Sequence, residues 1–222
     1  MIIYNPHNEQ IIQQRLQKAK DILNNINAKH CFITGSFLFK KNYKDIDVFV
    51  ISRTKKKLEP INKKIKITIL DFNELHSLFY HSVSKSCIAK SILPTKSVKA
   101  TISDYWQVIN EAVPSLLNQK NKFHKTIRYL ILYTEYFKTG EILDTFKLSK
   151  MIHSFKNYKE ILSYVQNEIP GIIKNKIKQS YAKRFLYTQA GHYKELLQYR
   201  AQSFLYKLIH SITRGINHGQ SC

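Results

Sequence analysis

Residues 32–52 read FITGSFLFKKNYKDIDVFVIS. The apolar run His30–Thr34 meets a glycine, as a strand ending in a tight turn does. Asp45–Ser52 is β-branched and aromatic, which predicts a second strand. Between Gly35-Ser36 and Asp45 lie eight residues, Phe37–Lys44, read as a short helix or loop. Asp45 and Asp47 are two apart on the second strand, so both carboxylates fall on one face. Carboxylates so placed repel each other unless a cation lies between them.

Strand, Gly-Ser, a short spacer and Asp-apolar-Asp-apolar together resemble the signature of the nucleotidyltransferase superfamily. That family includes polymerase β, tRNA CCA-adding enzymes, aminoglycoside adenylyltransferases and the minimal nucleotidyltransferases of toxin–antitoxin loci. The resemblance implies a polymerase β-like fold, an NTP substrate and Mg²⁺, as one ion or two. It places the metal on Asp45 and Asp47 and the nucleotide on Gly35, Ser36 and Lys44. The chemistry is consistent with these roles. Mg²⁺ takes one or two carboxylates and completes an octahedral shell with phosphate oxygens and water. Gly35 permits a close backbone approach to phosphate, and Ser36 adds a hydroxyl donor. Lys40, Lys41 and Lys44 in the spacer either meet a triphosphate or are solvated.

Members of the family that catalyse transfer usually carry a third acid on the next strand. Here that strand is Ile65–Leu70, and the expected acid falls on Thr68, which cannot act as a carboxylate base. Asp71, three residues later, is the catalytic candidate if the strand bulges or the register shifts. Its competing role is to cap the helical turn that begins near Asn73. Glu135, Glu141 and Asp144 are alternative bases.

Working outward, residues 7–27 carry Ile11, Ile12, Leu16, Ala19, Ile22, Leu23 and Ile26 at helical spacing. From about residue 103 the pattern is helical throughout, with segments at 103–118, 121–138, 146–154, 157–167, 171–190 and 192–214. Gly140, Pro170 and Gly191 serve as breaks. The expected class is α+β: a small mixed-sheet nucleotidyltransferase-like domain over 1–100, then an all-helical, basic domain over 101–222 as a candidate nucleic-acid-binding unit.

Charge points to the partner. The chain has 36 Lys+Arg against 15 Asp+Glu, a net +21. Residues 53–66 hold seven basic residues against Glu59, and no acid follows Glu195. Such a field draws phosphate polymers, so RNA, with tRNA foremost, is the expected acceptor. A lysine-rich composition explains part of the excess. Aromatic residues among the helices, from Tyr129 to Tyr206, either stack on bases or pack between helices. No Arg–His pair has the spacing of the HEPN ribonucleases that accompany minimal nucleotidyltransferases. The nine histidines form no metal pattern, and the three cysteines are scattered. A reduced cytoplasmic setting is expected, with no secretory signal in MIIYNPHNEQ and no membrane-spanning run.

The chain thus reads as an enzyme moving an NMP from an NTP to a hydroxyl. Two alternatives compete. One is a catalytically degenerate, antitoxin-like regulator that binds nucleotide or RNA, favoured by Thr68. The other is a small-molecule adenylyltransferase acting on an antibiotic, disfavoured because a cationic acceptor meets a basic protein.

Overall fold

Residues 46–51 form a strand without polar alternation because both of its faces are covered. Ile46, Val48 and Val50 turn to one core cluster, Phe49 and Ile51 to another. A computed structural model of the protein describes residues 1–54, 64–118, 122, 124–176, 207, 209 and 210. The basic connection at 55–63 and the helices expected beyond 176 lie outside the described residues, apart from 207, 209 and 210.

The chain divides into two compact units. The first comprises Met1–Ala100 together with Ile142–Lys150; the second comprises Thr101–Glu141 and the chain from Met151 onward. The first unit is built on a five-stranded mixed sheet in the order β1-β5-β2-β3-β4. Its strands are β1 (Ile2–Tyr4), β2 (His30–Thr34), β3 (Ile46–Ile51), β4 (Ile65–Leu70) and β5 (Cys87–Ala89). β3 and β4 are parallel, and the other pairs are antiparallel. Helix α1 (Glu9–Asn24) is capped by Asn8, whose side chain accepts from the Ile11 N–H at 3.0 Å. It buries Ile12, Ala19, Ile22 and Leu23 against one face of the sheet. The other face packs on Leu75 of the 3-10 turn Glu74–His76 and on Tyr80 and Val83 of α2 (Leu78–Ser84).

Ile142–Lys150 is stitched into this unit by polar bonds. Lys85 Nζ donates to the Ile142 carbonyl at 2.8 Å, and Ser82 Oγ donates to that of Leu143 at 2.6 Å. Thr145 Oγ1 lies 3.3 Å from Thr34 Oγ1. Asp144 is buried and starts α5 (Thr145–Ser154): its Oδ1 accepts from the Phe146 and Lys147 N–H groups. Its Oδ2 meets His7 Nε2 at 2.9 Å, and the His7 ring stacks on Phe146.

In the second unit, α3 (Ile102–Leu117) opens with a capping box between Thr101 and Asp104. Helix α4 (Lys125–Thr139) ends at Gly140 in the left-handed conformation, the break expected there. Phe137 of α4 stacks on Tyr105 of α3 across the helix interface and meets the partly buried Tyr133 and Tyr136 on its own helix. Tyr181, Phe185, Tyr187, Tyr193, Tyr199, Phe204 and Tyr206 lie outside the described residues. Pro170 is not the expected break: α6 runs from Tyr158 to Lys176 through it. The buried stripe Ile161, Val165, Ile169 and Ile172 continues across the proline, and this packing outweighs the lost hydrogen bond. Two strands, β1 and β5, were not expected at all. No helix among the described residues is long and apolar enough to cross a membrane.

Replacing Asp144 with alanine removes a helix cap and leaves the part-buried His7 ring without its carboxylate. The expected loss is about 2–3 kcal/mol, read from urea unfolding. A loss below about 0.5 kcal/mol, the range of ordinary surface changes, would show that these bonds contribute little.

Candidate nucleotide site

β2 ends at Thr34, whose partner across the ladder is Asp47. The chain must then leave the sheet beside that carboxylate, and Gly35 does so with φ +80°. A Cβ built on Gly35 would lie 3.0 Å from Asp47 Oδ2. Glycine is therefore required twice, for its backbone conformation and for the room it leaves Asp47. The 3-10 turn Gly35–Leu38 follows, with Ser36 half-buried and its carbonyl accepting from the Lys40 N–H at 2.9 Å.

The loop between this turn and Asp45 is held from α1 by Arg15. Its guanidinium donates to the carbonyls of Phe37, Lys40 (2.7 Å) and Lys41 (2.8 Å). It also lies over the Tyr43 ring at 4.6 Å and the Phe37 ring at 5.2 Å. Lys18 Nζ donates to the Tyr43 hydroxyl at 2.9 Å. Sequence reading missed Arg15. The available signal was a charged residue three positions from Ile12 and four from Ala19, on the helix face that is otherwise apolar.

Asp45 immediately precedes β3, Asp47 is its second residue, and both are partly buried. Their neighbour on β4 is a lysine. Lys66 stands opposite Asp47 in the parallel register, and its ammonium is ion-paired with Asp45 Oδ2. The hydrogen bond to Asp45, followed by the charges of Asp45 and Asp47, raises the Lys66 pKa above its ordinary value. Thr68, where the third acid was expected, is one pleat farther along, exposed and opposite Phe49. The register therefore puts a cation, not a carboxylate or a threonine, beside the aspartate pair.

Asp71 does not join the pair. It follows the last residue of β4, five residues beyond Lys66, a span of about 16 Å along an extended strand. Its Oδ1 accepts from the N–H groups of Asn73 (2.8 Å) and Glu74 (3.0 Å), and its own N–H donates to Glu74 Oε2 at 2.7 Å. The capping role accounts for its position. Of the alternative bases, Asp144 is engaged by His7 and the start of α5, as described above. Glu135 accepts from the Tyr164 hydroxyl within the second unit, and Glu141 is exposed.

Lys40, Lys41, Lys44, Lys64 and Lys66 are all exposed along the chain segments flanking Asp45. Of these, Lys66 is ion-paired with Asp45 of the pair. Burial pushes the Cys31 thiol up to about 11 and raises that of Cys87 as well, so neither is a ready nucleophile. Among the described residues no group of three or more His, Cys, Asp or Glu side chains is arranged to hold a metal. Two carboxylates beside a glycine turn instead suit a cation that brings its remaining oxygen ligands with it, as Mg²⁺ does on a polyphosphate. No protein-family model matches the chain, and neither does any curated protein sequence.

Three substitutions check this geometry. Gly35→Ala should cost about 1–2 kcal/mol from backbone strain alone, measured by urea unfolding. Combined with Asp47→Ala, the penalty should be less than additive, because the crowded carboxylate is gone. Asp71→Ala should lose about 1 kcal/mol as a broken cap while leaving nucleotide affinity unchanged; weakened nucleotide binding would return Asp71 to the site.

Proposed function

We propose that this protein binds a nucleoside triphosphate with Mg²⁺ at Asp45 and Asp47 and moves its NMP to a hydroxyl of an RNA acceptor such as tRNA. The observation that carries the reading is the contact of the Gly35 turn with the Asp47 carboxylate, with Asp45 two residues before it. Asp45 and Asp47 hold the metal, which when bound neutralises phosphate charge during in-line displacement. The Gly35 backbone and the Ser36 hydroxyl bind the triphosphate, and Lys44 meets its outer charge. The acceptor oxygen bonds to the α-phosphorus, the bond to the bridging oxygen breaks, pyrophosphate leaves and the hydroxyl proton passes to water. The net charge of +21 supports a polyanionic acceptor and disfavours a cationic antibiotic.

One observation favours a second reading. The residue opposite Asp47 on β4 is Lys66, a cation, and no acid, which suits a regulator that binds nucleotide or RNA without turnover.

Purified protein incubated with each labelled NTP, Mg²⁺ and total RNA separates the two. Under the first reading, label enters an RNA band and falls by about a thousandfold in Asp47→Ala. NTP binding with no label in any RNA sinks transfer and leaves the regulator. In either case RNA affinity should drop at least about tenfold between about 50 and about 200 mM salt.

A further inference from the structure

Lys66 is exposed over 64% of its side chain, yet its ammonium sits on Asp45, which is 21% exposed. Three facts bear on what it does there. It stands on the strand beside β3, opposite Asp47, so an ammonium paired with Asp45 also stands in the field of Asp47. It is a lysine, a compact charge on a long stem, and lacks the planar fork with which an arginine locks onto a carboxylate. It reaches the pair from the solvent side, so leaving it requires no repacking of the core.

We propose that Lys66 is a displaceable countercation: it occupies the cation position between Asp45 and Asp47 in the nucleotide-free protein, gives way to a divalent metal arriving on a nucleotide, and then turns to the phosphates. This inference rests on the nucleotide-site reading above and adds the order of events at that site. A bare divalent ion must displace an ammonium and gains nothing further in return. A metal–nucleotide must displace the same ammonium but supplies phosphate oxygens that accept it again. The site thereby discriminates against free metal, without any third carboxylate to hold the metal in place.

The two ligands respond to loss of the ammonium with opposite signs. Mn²⁺ serves as the probe, followed by its electron paramagnetic resonance signal on the full chain, first alone and then as Mn–ATP, Mn–GTP, Mn–CTP and Mn–UTP. Lys66→Met and Lys66→Gln should each bind free Mn²⁺ about fivefold more tightly than the wild-type chain. Each should bind the preferred Mn–nucleotide about three- to tenfold more weakly. Lys66→Arg, which grips Asp45 with two donors, should bind free Mn²⁺ more weakly than wild type. A purely structural lysine would shift both ligands in the same direction or neither.

The inference is overturned if Lys66→Met and Lys66→Gln show no gain in Mn²⁺ affinity, including the case in which neither they nor the wild-type chain binds Mn²⁺ detectably. It is also overturned if free Mn²⁺ and Mn–nucleotide shift together. A gain in free Mn²⁺ affinity with opposite nucleotide effects, but no NMP transfer to any RNA, leaves the inference standing and removes the transfer reading alone.

Discussion

The pairing of β2 with β3, with Thr34 opposite Asp47, is the constraint from which the rest of the first unit follows. It sends Cys31, Ile33, Val48 and Val50 to the face covered by α1, and Phe32, Phe49 and Ile51 to the face covered by α2. A slip of one residue would exchange the two sets and turn Asp47 into the α1 core. The same register brings the end of β2 against the Asp47 carboxylate, so that only glycine fits next. The hydrophobic core and the carboxylate geometry are thus one solution, and neither can be altered without the other.

The loop that returns from Gly35 to Asp45 has no ladder partner of its own, and a long side chain from α1 does that work. Arg15 donates to three backbone carbonyls of the loop and lies over two of its aromatic rings. Ordering a loop costs conformational entropy at every residue. Charge-assisted bonds from one preorganised guanidinium offset part of that cost at a single point. The position of Asp45, which ends this loop, depends on a helix more than twenty residues earlier.

Strands β2, β3 and β4 were legible because their β-branched runs are bounded by glycine, aspartate and a charged connection. β1 and β5 were not, because each is three residues long and Cys87-Ile88-Ala89 carries no alternation. Strand periodicity alone put Asp45 and Asp47 on one face, whereas Gly35 and Ser36 joined them only through the resemblance to a known signature. The neighbour on β4 was not, because counting along one strand gives no register to the next. Thr68 was chosen by analogy, whereas hydrogen bonding aligns Lys66 with Asp47. Pro170 misled for a related reason: local propensity names the break, and burial of the helix face around it decides the outcome.

The discontinuity of the first unit bears on how the chain is made. During synthesis, β1 to β5 leave the ribosome before residues 101–141, and only afterwards does Ile142–Lys150 emerge. Until then the Ser82 hydroxyl and the Lys85 ammonium lack the carbonyls they hold in the finished fold, and Thr34, already bonded to the Ser86 carbonyl, lacks its Thr145 neighbour. Thr34 immediately precedes Gly35, so the contact with Thr145 is made next to the turn beside Asp47. A nascent chain stalled near residue 100 carries both aspartates but not the Ile142–Lys150 segment that completes the first unit.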